Sequence, residues 1–181
     1  INDSDLSGKI TLGILGEGLG TYKIEDSYNS IGLYINSGAE LVLEDGVILE
    51  SPQSSRDLYI ENGGKLVAGA AQLQLGESKM TVYGEAELTG TTIVSTNSYP
   101  VQVYNGGKLT MSGCDVSGCQ EVRVDGGGTS MLKDMSVRKV SSYGDVIFRS
   151  TTITEQLIIS DGAVILGEET EEQIKSANTE L

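Results

Sequence analysis

Twenty-six carboxylates, twelve basic side chains, eight tyrosines and two cysteines are the groups in this 181-residue chain with chemistry to offer. Histidine is absent. That removes the usual acid–base group at neutral pH, and with it any His-based triad or His-ligated metal. Asp115, Asp134 and Asp145 fall at unlike places of the repeat described below, and Glu44-Asp45 is the nearest approach to an acidic pair. Arg123 and Lys133 stand apart from any group of carboxylates. Oxygen ligands for calcium abound, but neither an EF-hand loop nor a Gly-Gly-x-Gly-x-Asp nonapeptide occurs. Most of the acids therefore read as solvated surface, and no catalytic residue, metal or cofactor is expected. The tyrosines are more regular. Tyr34 and Tyr59 each stand between two aliphatic residues, in Leu33-Tyr34-Ile35 and Leu58-Tyr59-Ile60, and Tyr83 and Tyr104 each follow a valine and precede a Gly turn. A tyrosine row of this kind can stack on sugars or anchor a protein, or it can shield a strand surface.

The elements that position these rings are repeats. One template recurs seven times, in two copies with a serine (Ser130, Ser142) in an apolar place: apolar, any residue, apolar, then a Gly turn and a further apolar residue. It runs through Leu33-Tyr34-Ile35 to Leu41, Leu58-Tyr59-Ile60 to Leu66, Met80-Thr81-Val82 to Leu88, and Val101-Gln102-Val103 to Leu109. Val122-Arg123-Val124 leads to Ser130, Ser142 to Phe148, and Leu157-Ile158-Ile159 to Ile165. A gap of six residues separates each anchor (35, 60, 82, 103, 124, 142, 159) from its closing position. After it, apolar residues return at offsets 0, 2 and 7, as in Leu109, Met111 and Val116. A shorter form, Leu88 to Ile93 and Phe148 to Ile153, drops two residues. Breaks near Gly90, Gly113 and Ser150 read as bends between two strands with one buried face each. Asn62-Gly63 and Asn105-Gly106 mark sharp corners where positive φ is tolerated. Tyr34 and Tyr59 then share one outward offset, and Tyr83 and Tyr104 hold the next, so the four rings should form a continuous strip along successive turns.

A unit this short cannot bury its own apolar face and must stack on its neighbours. The composition agrees: 24 glycines, 2 prolines, one Phe and no Trp suit many short Ile/Val/Leu strands between turns. The expected fold is all-β, a right-handed parallel β-helix of about seven rungs over residues 31–167. Residues 1–30 read as an irregular first coil or cap. At 168–181, Thr170-Glu171-Glu172-Gln173 has the form of a capping box, with Ile174, Ala177 and Leu181 on one helical face; the alternative is an acidic linker. Cys114 shares its offset with Thr91, Met135 and Thr151 and should point inward. Cys119 follows a Ser-Gly corner, which leaves both free thiols and a short-loop disulfide open.

The run Asn105-Gly106-Gly107-Lys108-Leu109-Thr110-Met111-Ser112-Gly113-Cys114-Asp115-Val116 resembles a coil of the pectin-lyase-like right-handed β-helix, and residues 31–165 follow that pattern. Its Gly-Gly corners and Thr-Thr-Ile strand ends look most like adhesin-type bacterial autotransporter passengers, although the turns vary more in length. The resemblance implies a secreted or cell-surface segment that serves as an adhesive or structural stalk. It also implies an alternative, a carbohydrate-binding module or a polysaccharide lyase or hydrolase, whose clustered Asp and Arg or Lys groups are not evident here. A net charge of −14 argues against nucleic acid and anionic membrane as partners, and no apolar run is long enough to span a bilayer. The first residues carry no charged and apolar leader, so any export signal is expected to be removed or to lie outside this sequence. The expected partners are a neutral glycan, another protein or a second copy, met at Tyr34, Tyr59, Tyr83 and Tyr104.

Overall fold

The computed structural model describes residues 5–6, 8–14, 20–24, 32–51, 56–160, 164–166 and 178–180. They form a parallel β-solenoid of about six turns, one fewer than the seven copies of the template, because seven anchors bound six full turns. Each turn supplies three strands, and like strands of successive turns pair in parallel to make three walls around one apolar core. The first wall contains Gly32–Ile35, Asp57–Ile60, Met80–Val82, Val101–Val103 and Glu121–Val124. The second contains Lys9–Leu12, Glu40–Leu43, Lys65–Ala68, Glu85–Thr89 and Lys108–Ser112. The third contains Thr21–Lys23, Ile48–Glu50, Gln72–Gly76, Thr92–Ser95 and Asp115–Gly118. In the last turns all three walls are built from two long bent strands, Thr129–Ser142 and Asp145–Ile159.

The anchor column is in register throughout. Ile35, Ile60, Val82, Val103, Val124, Ser142 and Ile159 pair one with the next along the first wall. The first five are fully buried, and each such aliphatic side chain contributes roughly 1.5–3 kcal/mol through removal from water.

The closing positions divide. Leu41, Leu66, Leu109 and Ser130 lie in one column after a gap of six, but Ala86 and Val146 occupy that column in the other two turns. Leu88 and Phe148 belong one inward position further on, with Ala68, Met111 and Leu132. Ile165 pairs with Ile147, outside that column, and it is Val164 that pairs with Val146. The two missing residues of the shorter turns are therefore lost from the corner, at Tyr83-Gly84 and Tyr143-Gly144. Counted from Ala86 and Val146, those turns keep the full offsets of 0, 2 and 7. A slip of two residues preserves facing in a strand, so alternation alone does not reveal it.

Corner chemistry explains the two lengths. Each long corner is a β-turn in which the amide of Ala39, Gly64, Gly107 or Gly128 donates to the carbonyl three residues earlier at 2.8–2.9 Å. The third residue of each is Gly38, Gly63, Gly106 or Gly127, with φ of +79° to +83°, the value a type II turn requires. Asn62 and Asn105 precede these glycines and do not themselves take positive φ. At the short corners, Gly84 and Gly144 are buried against carbonyls of the preceding long corner. A Cβ on Gly84 would stand 2.2 Å from the Glu61 carbonyl oxygen, and one on Gly144 2.4 Å from that of Gly128. The bend between second and third walls stacks Gly90, Gly113, Asp134 and Ser150, all with φ of +46° to +64°.

At the amino-terminal end, Lys9–Leu12 and Thr21–Lys23 continue the second and third walls in register. At the other end, Asn178–Glu180 runs as a strand beside Gln156–Ile158, in a stretch where a helical cap was one of two expectations. The proposed capping box lies outside the described residues.

Candidate functional site

The outer side of the first wall gathers most of the chain's aromatic groups. Tyr34 and Tyr59 pair across adjacent strands, and their rings stack with centroids 4.5 Å apart and planes 9° from parallel. Tyr83 and Tyr104 stack in the same way at 4.7 Å and 16°. These distances repeat the strand spacing of a parallel ladder. The four rings thus make two pairs, set one outward position apart along the strand. Below Tyr59 its column continues with Thr81, Gln102 and Arg123.

Stacking determines what the pairs can present. At 4.5–4.7 Å no third ring fits between partners. A ligand therefore meets ring edges, phenol hydroxyls and the outermost face of each pair. All four rings are half-buried, and Thr81, next to Tyr59 in its column, is buried, its hydroxyl without a hydrogen-bond partner. Tyr59 donates its hydroxyl to Asp57 Oδ2 at 3.2 Å. Burial, and then the neighbouring Asp57 carboxylate, raise the Tyr59 pKa above its ordinary value. Burial is also the first cause of the upward shifts at Tyr83 and Tyr104. These three stay neutral donors at physiological pH.

Two further tyrosines reach this face: Tyr143, which follows its anchor at the offset of Tyr83 and Tyr104, and Tyr99. Arg123 lies over the rings of Tyr99 and Tyr143, 5.2 and 5.1 Å from their centroids, a cation–π arrangement on both rings. Arg123 Nε also donates to Asp125 Oδ1 at 2.8 Å, so its charge is engaged rather than isolated. Gln102 Nε2 donates to Asp125 Oδ2 at 2.9 Å, and Lys79 Nζ donates to Gln102 Oε1 at 3.2 Å. A continuous polar chain, Lys79–Gln102–Asp125–Arg123, thereby runs along the wall beside the Tyr83–Tyr104 pair. Its legible sign was Arg123 and Asp125 at i and i+2, which share a strand face. Tyr99 lies in a corner outside the template and carried no such sign.

No protein-family model, no curated protein and no solved structure matches this chain. The geometry alone carries the functional reading.

The other outer faces differ in kind. Along the second wall Lys9, Glu40, Lys65, Glu85 and Lys108 occupy one column in successive turns. Their signs alternate, with Lys9–Glu40 at 3.1 Å and Lys65–Glu85 at 3.8 Å. Lys65 also meets Glu87 at 2.9 Å, and that carboxylate holds its pKa above the ordinary value. Along the third wall lie two shallow grooves, of about 550 and 300 Å³, with Gln72 in both. Glu50, Gln74 and Val94 line the larger, and Gln74 Nε2 donates to Gln72 Oε1 at 3.1 Å.

Cys114 and Cys119 are free thiols, both buried. Cys114 stacks with Thr91, Met135 and Thr151, as their common offset required, and its thiol lies 3.5 Å from the Leu88 carbonyl. Cys119 Sγ lies 3.3 Å from the Ile93 carbonyl oxygen. Burial pushes the Cys119 pKa up to about 12 and raises that of Cys114, which keeps both protonated and weakly nucleophilic.

Proposed function

We propose that this chain is a non-catalytic segment of a secreted or cell-surface stalk, and that the tyrosine-bearing outer side of its first wall is the contact surface. The observation that carries the reading is the concentration there of Tyr34, Tyr59, Tyr83, Tyr99, Tyr104 and Tyr143, six of the eight tyrosines in the sequence. Tyrosine supplies contact area at low entropic cost together with a hydroxyl, and four of these rings are already ordered by stacking. The partner is a neutral glycan or a protein, because a chain of charge −14 repels anionic ones. Ring edges and hydroxyls outnumber open ring faces, which suits hydrogen bonding along the strip more than face stacking.

The Tyr34→Ala/Tyr59→Ala variant tests this. Both side chains point outward, so the variant should melt close to the parent. Its retention on neutral glycan arrays or on immobilised protein should fall by about tenfold or more, as expected for loss of aromatic anchors. Binding that survives the double change sinks the reading.

The grooves of the third wall favour a second reading, a carbohydrate-binding module or a polysaccharide lyase or hydrolase. Under the first reading, pectate, alginate, xylan and chondroitin incubated with the pure protein, with and without calcium, yield neither unsaturated products nor reducing ends. Sustained turnover of any of them establishes the second.

A further inference from the structure

We infer that the outer face of the second wall pairs with the same face of a second copy, the two solenoids running antiparallel. This rests on the reading of the chain as a stalk segment, but uses a different surface from the tyrosines.

The first observation is charge. Among the described residues, the outward positions of this wall carry five basic side chains, Lys9, Lys65, Lys108, Lys133 and Arg149, against five acidic ones, Glu40, Glu44, Glu85, Glu87 and Asp145. The face is neutral on a molecule of charge −14. Two copies that meet through it bring no net charge of one face against the other.

The second observation is order. In the column Lys9, Glu40, Lys65, Glu85, Lys108 the sign changes at every turn. A two-fold axis parallel to the strands, placed between the Lys65 and Glu85 turns, reverses the order of turns and keeps each column opposite itself. Lys65 then faces Glu85 of the second copy and Glu40 faces Lys108, each contact occurring twice, as a two-fold interface requires. An axis moved onto the Lys65 or the Glu85 turn sets like charges against each other. The ladder therefore rejects the registers one turn to either side. In the next outward column Val42 and Val67, and then Met131 and Ile147, are half-buried aliphatic pairs on either side of Glu87 and Thr110.

Charge reversal with mixing tests the inference. Lys65→Glu alone places Glu against Glu in a like pair of copies, and Glu85→Lys alone places Lys against Lys. An equal mixture of the two variants restores opposite charges at both contacts. Sedimentation velocity at low salt should show a concentration-dependent dimer for the parent. Each single variant should be weakened about tenfold or more, and the mixture should return to within about threefold of the parent. Both positions are partly exposed, and circular dichroism checks that each variant folds; should either fail, Glu40→Lys with Lys108→Glu repeats the design one turn outward. The Tyr34→Ala/Tyr59→Ala variant should dimerise like the parent, so the two surfaces stand or fall separately. A parent that stays monomeric at several hundred micromolar, or a mixture no stronger than its components, overturns the inference.

Discussion

Cys119 shows how far one buried group can couple the fold to its solvent. Its thiol ionises near 9 in an open chain and at about 12 here, because a thiolate in the core would lose its hydration. Below pH 9 both states hold the proton and stability does not respond. Between about 9 and 12 the unfolded chain releases the proton while the folded chain keeps it, so stability falls as pH rises. One such group costs about 1.4 kcal/mol per pH unit across that window. Urea midpoints measured from pH 8 to 11 should therefore decline above pH 9, and Cys119→Ala should decline less steeply. Equal slopes for the two proteins contradict this placement of the thiol. The inward position of Cys114 was legible from its shared offset with Thr91. The burial of Cys119 was not, because its corner lies outside the template.

At the scale of the element, the decisive difference is between the two kinds of glycine. Gly113 sits at a bend with φ +62° and open space around the site of a Cβ. Gly84 has ordinary φ, but a Cβ on it would stand 2.2 and 2.3 Å from two carbonyl oxygens, those of Glu61 and Gly64. Gly113→Ala should cost about 1–2 kcal/mol, the strain of a left-handed alanine. Gly84→Ala should cost more, about 3 kcal/mol or above, because backbone of the neighbouring turn must move. Chemical denaturation of the two variants checks the order, and a milder effect at Gly84 contradicts the short-corner geometry. The same corners mark the limit of the sequence reading. The anchor column was readable in full because its residues alternate and recur. The closing column was misread at Leu88, Phe148 and Ile165 because corner length is set by a Gly packing against another turn, which local alternation does not record. Asp134, a left-handed residue without glycine's freedom, was likewise legible only through the column it shares with Gly90, Gly113 and Ser150.

At the scale of the whole molecule, a parallel ladder converts sequence offset into position on a rod. Residues many positions apart become neighbours one strand spacing away. That is why Tyr34 and Tyr59, or Lys9 and Glu40, act as local pairs, and why each wall carries its own chemistry: aromatic on the first, alternately charged on the second, amide-lined and grooved on the third. The tyrosine columns could be read from the repeat. The sideways step between the two pairs, the Arg123 sandwich and the polar chain from Lys79 required the fold, since they join different columns and a corner. The central claim is that the first wall is the surface through which the chain holds its partner. Oxidative footprinting of the tyrosines, in the free chain and in the chain retained on beads bearing neutral glycans or immobilised protein, tests it most directly. The account predicts protection of Tyr34, Tyr59, Tyr83 and Tyr104 on the beads, with Tyr22, on the third wall, unchanged. Failure of the chain to be retained on either kind of bead, or retention that leaves those four rings as reactive as in the free chain, contradicts it.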